Sequence, residues 1–206
     1  MANLITSARF ALLFLLVALV YLAPPQWQLI DPLLLILIIV LDGVDGYVAR
    51  RRGETSVFGS VYDIAVDRAV ENILWIVLAD VELVPVSIAL LFITRGILVD
   101  TVRGESLAQG IGAFEMMRSS LGHFLVASRF MRGLYGTVKA FAFSWILLIQ
   151  PLQSLVPEFW GSWSGVINLI TSFLISLAVV LCLARGIPVL VEFYLAERHP
   201  GKAGAT

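Results

Sequence analysis

A single cysteine, Cys182, and two separated histidines, His123 and His199, are all this chain has of the residues that build disulfide frameworks and zinc sites. One thiol excludes an internal disulfide, and two isolated imidazoles form no Cys/His ligand pattern, so any metal here must be held by carboxylates. Also missing is any stretch polar enough for a soluble domain longer than a loop. Of the 206 residues 59% are hydrophobic, against roughly 45–50% in a soluble domain, and the mean hydropathy is +0.93. There is no tandem repeat and no low-complexity segment. The net charge of −1 says little, because in such a chain the placement of charge matters more than its sum.

What is present is a series of apolar runs. A bilayer core needs about 20 apolar residues per helix. Six runs qualify, at about 5–24, 29–49, 61–79, 84–103, 134–151 and 164–187. The first has only Arg9 in its flank, lacks a clear small-x-small cleavage site and heads several further runs. It is therefore expected to be a retained helix and not a secretory signal. The connectors "APPQWQLID", "DVELVP" and "QPLQSLVPEFWGSW" contain no Lys or Arg, and every basic residue falls elsewhere. That asymmetry predicts an all-α integral membrane protein of six transmembrane helices with both termini in the cytoplasm. Trp27, Trp160 and Trp163 sit on the opposite side, as interfacial anchors do. The whole chain, 1–206, is read as one transmembrane domain ending in a polar tail over 196–206. The connector over about 104–133 is long for a helical bundle, which implies structure or a task. Its mixture of apolar residues and dispersed arginines suits a helix at the cytoplasmic interface, either anchoring on anionic lipid heads or facing a substrate.

The stretch "LDGVDGYVARRRGETSVFGSVYDIAVD", Leu41 to Asp67, breaks this pattern. Residues three and four apart share a helix face. Asp42, Asp45, Gly46 and Ala49 therefore form one stripe at the end of the second run. Asp63 and Asp67 form another at the start of the third, with Glu71 one turn deeper. The short basic segment between them makes the two helices antiparallel neighbours, so four carboxylates converge at the cytoplasmic surface. Taken singly, Asp63 is explained as a helix cap and the glycines as packing residues. As a set they are not, because ionisable residues in spans are costly. Four close anions call for a positive partner, and oxygen ligands suit Mg²⁺ or Mn²⁺, with enough carboxylates for two ions. Gly46, Ala49 and Gly59 strip bulk from the aspartate face, and Arg50 offers a forked donor to phosphate oxygens.

The stretch resembles the signature of the CDP-alcohol phosphotransferases, D-x2-D-G-x2-A-R-x8-G-x3-D-x3-D. It is met at Asp42, Asp45, Gly46, Ala49, Arg50, Gly59, Asp63 and Asp67 with every spacing kept. The resemblance implies six transmembrane helices and a homodimer; the basic-residue asymmetry places the active site on the cytoplasmic face, and with no organelle-targeting segment the plasma (inner) membrane is the expected location. It implies transfer of a phosphatidyl group from CDP-diacylglycerol to a small alcohol, releasing CMP. Asp42, Asp45, Asp63 and Asp67 would hold the metal, and Asp67 is either the general base or only a fourth ligand. Asp42, Asp45, Gly46, Ala49, Arg50 and Gly59 would bind the CDP donor.

Downstream, "ITRGILVDTVR" (Ile93–Arg103), "VAS" (Val126–Ser128) and "GTVK" (Gly136–Lys139) are similar to segments of phosphatidylglycerophosphate synthases. That branch implies glycerol 3-phosphate as acceptor, with Arg95, Arg118, Arg132 and Lys139 as phosphate partners. The bland alternative is that these four only follow the positive-inside rule. Two departures weaken the subtype: Gly43 stands where that branch carries a bulky residue, and Arg68 where it carries Lys. Inositol phosphate or another polar alcohol remains open as acceptor. Two other classes of protein fit the pattern less well. A cation transporter would hold its carboxylates near the bilayer midplane and not at one mouth. A non-catalytic lipid- or metal-binding membrane protein would not need the strict carboxylate spacing.

Overall fold

The computed structural model describes residues 2–52, 57–108, 117 and 119–198, with the side chains of Ala2, Asn3, Ala49, Arg50, Arg52, Val57 and Glu197 outside that description. Among the described residues the chain is all-α, with no strand. Six long helices occupy the stretches of the six apolar runs: α1 (Ala2–Leu22), α3 (Asp31–Arg52), α4 (Val57–Asp80), α5 (Val86–Ala108), α7 (Arg129–Leu155) and α8 (Pro157–Arg198). Short α2 (Pro25–Gln28) and α6 (Ser120–Gly122), the latter running into a π-turn at His123–Ala127, complete the order. Three segments, Leu4–Leu22, Arg129–Leu155 and Pro157–Ala196, are long and apolar enough to cross a membrane. Among the described residues the buried charged ones are Arg9 on α1, Asp31 and Asp45 on α3, and Arg185 on α8.

Helix ends follow local chemistry. Pro24 and Pro25 stop α1, since proline has no N–H to continue the ladder. The α1 carbonyls left without partners are met by Gln28, whose amide donates to Val20 O (3.0 Å) and Ala23 O (3.1 Å). At the end of α4 the chain turns through Glu82 at φ 59°. Glu82 N donates to Ala79 O and Leu83 N to Leu78 O, closing a Schellman-type cap with glutamate in the left-handed position usually held by glycine.

The chain divides into two compact units, Met1–Ala89 with Ala140–Leu174, and Leu90–Lys139 with Ile175–Thr206. In the first, α1 packs on both α3 and α4. Tyr21 Oη donates to Asp80 at 2.6 Å near the C-terminal ends of α1 and α4. Ser7 and Tyr62 are bonded at 3.1 Å near their N-terminal ends. Ties at both ends make α1 parallel to α4, with α3 antiparallel to both. Leu13, Leu16, Leu35, Ile38, Trp75 and Leu78 are fully buried between them. Large apolar side chains such as Leu4, Phe14, Leu33 and Phe173 stand exposed on the outside, so these helices are apolar on both inner and outer faces, as membrane helices are. Trp145 Nε1 donates to Thr171 Oγ1 at 2.9 Å, joining α7 to α8 inside this unit.

In the second unit Val99, Met117, Val126 and Val189 form a small core. The segment after the connector is clamped to α8 by Glu192, which accepts from both the backbone N–H and the hydroxyl of Ser119. The connector expected over 104–133 is shorter than the sequence implied. Helix α5 extends into it as far as Ala108 and α7 begins at Arg129. Residues 109–116 and Arg118 lie outside the described residues, so of the expected interfacial helix only α6 and the π-turn are seen.

Candidate metal and substrate site

Asp42 and Asp45 near the end of α3 and Asp63 and Asp67 near the start of α4 come together where both helices pack on α1, with only residues 53–56 between α3 and α4. Asp42, Asp63 and Asp67 each offer a carboxylate oxygen within 4.8 Å of the others. Their side chains are 41%, 38% and 48% exposed, so the group opens outward. Asp45 differs: it is only 3% exposed and turned towards α1. Its Oδ2 accepts from Thr6 Oγ1 at 3.0 Å and from Arg9 at 3.1 Å. Its Oδ1 is buried with no hydrogen-bond partner among the described residues. Glu71, one turn further along α4, pairs with Arg68 at 3.2 Å.

Arg9 is the residue that sequence reasoning passed over. Its side chain is 3% exposed and its guanidinium reaches all four aspartates. Nη2 lies 2.6 Å from Asp42 and 2.6 Å from Asp67, and Nη1 lies 3.1 Å from Asp45 and 3.0 Å from Asp63. The guanidinium is always charged and presents a rigid fork, which lets one side chain serve four carboxylates. The available signal was a lone arginine inside an otherwise apolar span, which is costly unless partnered.

The donor set fits a hard divalent cation. It is made of carboxylates alone, three of them gathered to a span that metal–oxygen bonds of about 2.0–2.6 Å can bridge. The orphaned Oδ1 of Asp45 is one more buried acceptor beside them. Gly46 and Gly59 are half-buried on the helices that carry the aspartates. Gly43 is open: a methyl group added there meets nothing within 4 Å, so its own chain does not require glycine at this position.

The second unit holds a cluster of the opposite sign. Lys139 Nζ lies 4.4 Å from the centre of the Tyr135 ring, and the guanidinium carbons of Arg95 and Arg185 each lie 5.6 Å from it. Arg185 is 6% exposed and feels the like charges of Arg95, Arg103 and Arg132. It donates to the carbonyls of Leu125 (3.3 Å) and Val126 (3.5 Å) at the π-turn. The Nε groups of Arg95 and Arg185 are buried with no acceptor among the described residues. Of the four cations expected at an acceptor phosphate, Arg95 and Lys139 meet on Tyr135, and Arg132 is exposed nearby. Arg118 is outside the described residues. Arg185 was not anticipated, having been read only as one of the basic residues that fix topology.

An all-α apolar chain with three carboxylates close enough to hold a metal ion defines the site in outline. Residues 1–203 match the CDP-alcohol phosphatidyltransferase family. The chain belongs to that family, whose reaction is phosphatidyl transfer from a CDP-linked donor to an alcohol, and it is an integral membrane protein. No curated protein matches it.

Proposed function

We propose that this protein transfers a phosphatidyl group from CDP-diacylglycerol to glycerol 3-phosphate, releasing CMP, at a site of two Mg²⁺ or Mn²⁺ ions held by Asp42, Asp45, Asp63 and Asp67. The convergence of the Asp42, Asp63 and Asp67 carboxylates carries this reading. Bound divalent cations would neutralise the donor pyrophosphate and stabilise the departing CMP. Asp67, the most exposed of the four, takes the proton of the acceptor hydroxyl. The hydroxyl oxygen bonds to the phosphatidyl phosphorus in line as the bond to the CMP oxygen breaks. Gly46, Ala49 and Gly59 leave room for the cytidine, and Arg50 contacts the donor phosphates.

The cations around Tyr135 favour a phosphorylated acceptor. Positive side chains gathered and partly removed from water are stabilised by an anion, and a phosphate monoester supplies two charges and several acceptor oxygens. Arg95, Lys139 and Arg185 are its partners in this reading. Inositol phosphate satisfies the same chemistry and is the second candidate. The six long helices are read as six spans with cytoplasmic termini, forming one catalytic domain that works as a homodimer in the inner membrane.

The test is CMP release by purified protein in detergent with CDP-diacylglycerol, Mg²⁺ or Mn²⁺, and a panel of glycerol 3-phosphate, inositol 1-phosphate, inositol and serine. Metal-dependent release with glycerol 3-phosphate, lost in Asp63→Asn, is the expected result. Release only with another acceptor would correct the substrate. No release together with no metal binding would leave a non-catalytic lipid-binding protein.

A further inference from the structure

Arg9 sets a question that the proposed chemistry does not answer. The family's reaction calls for metal at the carboxylates, yet the chain supplies its own cation to each of them. The guanidinium touches an oxygen of Asp42, Asp45, Asp63 and Asp67 within 3.1 Å. Three of those residues are the ones whose ligand atoms gather within 4.8 Å. A divalent ion seated among them would lie a few ångströms from a fixed positive charge. At a separation of about 4 Å and an effective dielectric of about 20, that repulsion is several kcal/mol. Arg9 cannot relieve it by losing its proton. It cannot withdraw freely either, because it is buried and held on a helix tied to α4 at both ends.

Without Arg9 the same four carboxylates would repel one another. Asp45 is the sharpest case, since it is buried and, among the described residues, its other donor is Thr6, one turn before Arg9 on α1. The guanidinium therefore does two things at once: it holds the aspartates of α3 and α4 together, and it opposes the cation they gather for.

We infer that Arg9 is a positioning residue that acts as the built-in counter-ion of the aspartate cluster, preassembling the site and weakening its affinity for divalent metal by competition. The inference rests on the metal site of the proposed function and adds to it the element that tunes that site. Preassembly lowers the ordering cost of binding metal, and competition keeps the metal exchangeable.

The experiment uses the full-length protein in detergent, with Mn²⁺ as the probe. Free Mn²⁺ is followed by its paramagnetic resonance signal, and thermal melting is recorded in EDTA and in saturating Mn²⁺. Arg9→Gln is expected to melt below the wild type in EDTA and to recover most of the difference in Mn²⁺. It is also expected to bind Mn²⁺ about tenfold or more tightly, within the usual range of coupling between sites. Arg9→Lys keeps the charge but loses the fork, and should bind with intermediate affinity. If Arg9→Gln does not fold, the comparison of Arg9→Lys with wild type carries the test.

Unchanged or weaker Mn²⁺ binding in folded Arg9 variants would overturn the inference while leaving the metal site standing. A wild type and variants that all fail to bind Mn²⁺ would overturn the metal site and this inference together. Binding by Arg9→Gln alone would support the inference in its strongest form.

Discussion

The two charged clusters of this protein solve the same problem by different means. In the first unit four carboxylates are compensated by a full ion, Arg9, through four short ion pairs. In the second, Arg95, Lys139 and Arg185 lie over the face of Tyr135, and Arg185 also rests on two carbonyls. Ring faces and carbonyls carry only partial charge, and a cation–π contact is worth about 0.5–2 kcal/mol. The difference lies in what remains to be neutralised. The acidic cluster keeps a net negative charge with Arg9 in place and still calls for cations. In the basic cluster the ring face and the two carbonyls offset only part of the charge of Arg95 and Arg185.

Removing a group from either cluster tests that division of labour. The largest effect is expected for Asp67→Asn, which should lower kcat by about 10²–10⁴-fold as loss of a general base does. Its Mn²⁺ affinity should fall less than that of Asp63→Asn. An equal fall in both would make Asp67 a ligand only and place all four aspartates in one role. Next is Arg185→Met, which removes a buried charged donor worth about 1.5–3 kcal/mol. It should raise KM for the phosphorylated acceptor by about 10–100-fold while Mn²⁺ binding stays at the wild-type value. A change in Mn²⁺ binding would break the comparison, since it would join the two clusters into one electrostatic system.

Tyr135→Leu should cost less. Losing the ring face under three cations is expected to raise the same KM by about 3–30-fold, with Tyr135→Phe restoring most of it. Smallest of all is Gly43→Ala. An added methyl meets nothing within 4 Å, so activity and melting temperature should stay near wild type, within the ±0.5 kcal/mol usual for surface substitutions. A large loss would show that a bound substrate, and not the protein, requires glycine there.

Much of this arrangement was legible in the sequence because it is local. Apolar run length located all six long helices but not all their ends, α8 running well beyond the expected 164–187 on both sides, and the three- and four-residue spacing of Asp42/Asp45 and Asp63/Asp67 set each pair on one face. A linker too short to do anything but reverse the chain then brought the pairs together. Arg9 was not legible in the same way. It stands 36 residues before Asp45, and its role depends on α1 lying parallel to α4, a long-range contact that no helical period encodes. Arg185 was missed for a related reason: near the end of an apolar helix, an arginine that orients the chain and one that binds an anion look alike. Helix ends closed by the Gln28 side chain, or by the backbone around a left-handed glutamate after α4, also escape pattern reading. The residues involved are not the usual capping types.

Arg9 also bears on how the protein is made. An arginine at the centre of an isolated apolar helix costs about 2.5–3.5 kcal/mol to place in a bilayer, less near an end where the side chain can reach water. Helix α1 is synthesised first, and the carboxylates that neutralise it arrive only with α3 and α4. Those aspartates supply the partners that offset this cost. The ion pairs that gather the four aspartates are thus the same ones that make Arg9 tolerable in an apolar helix.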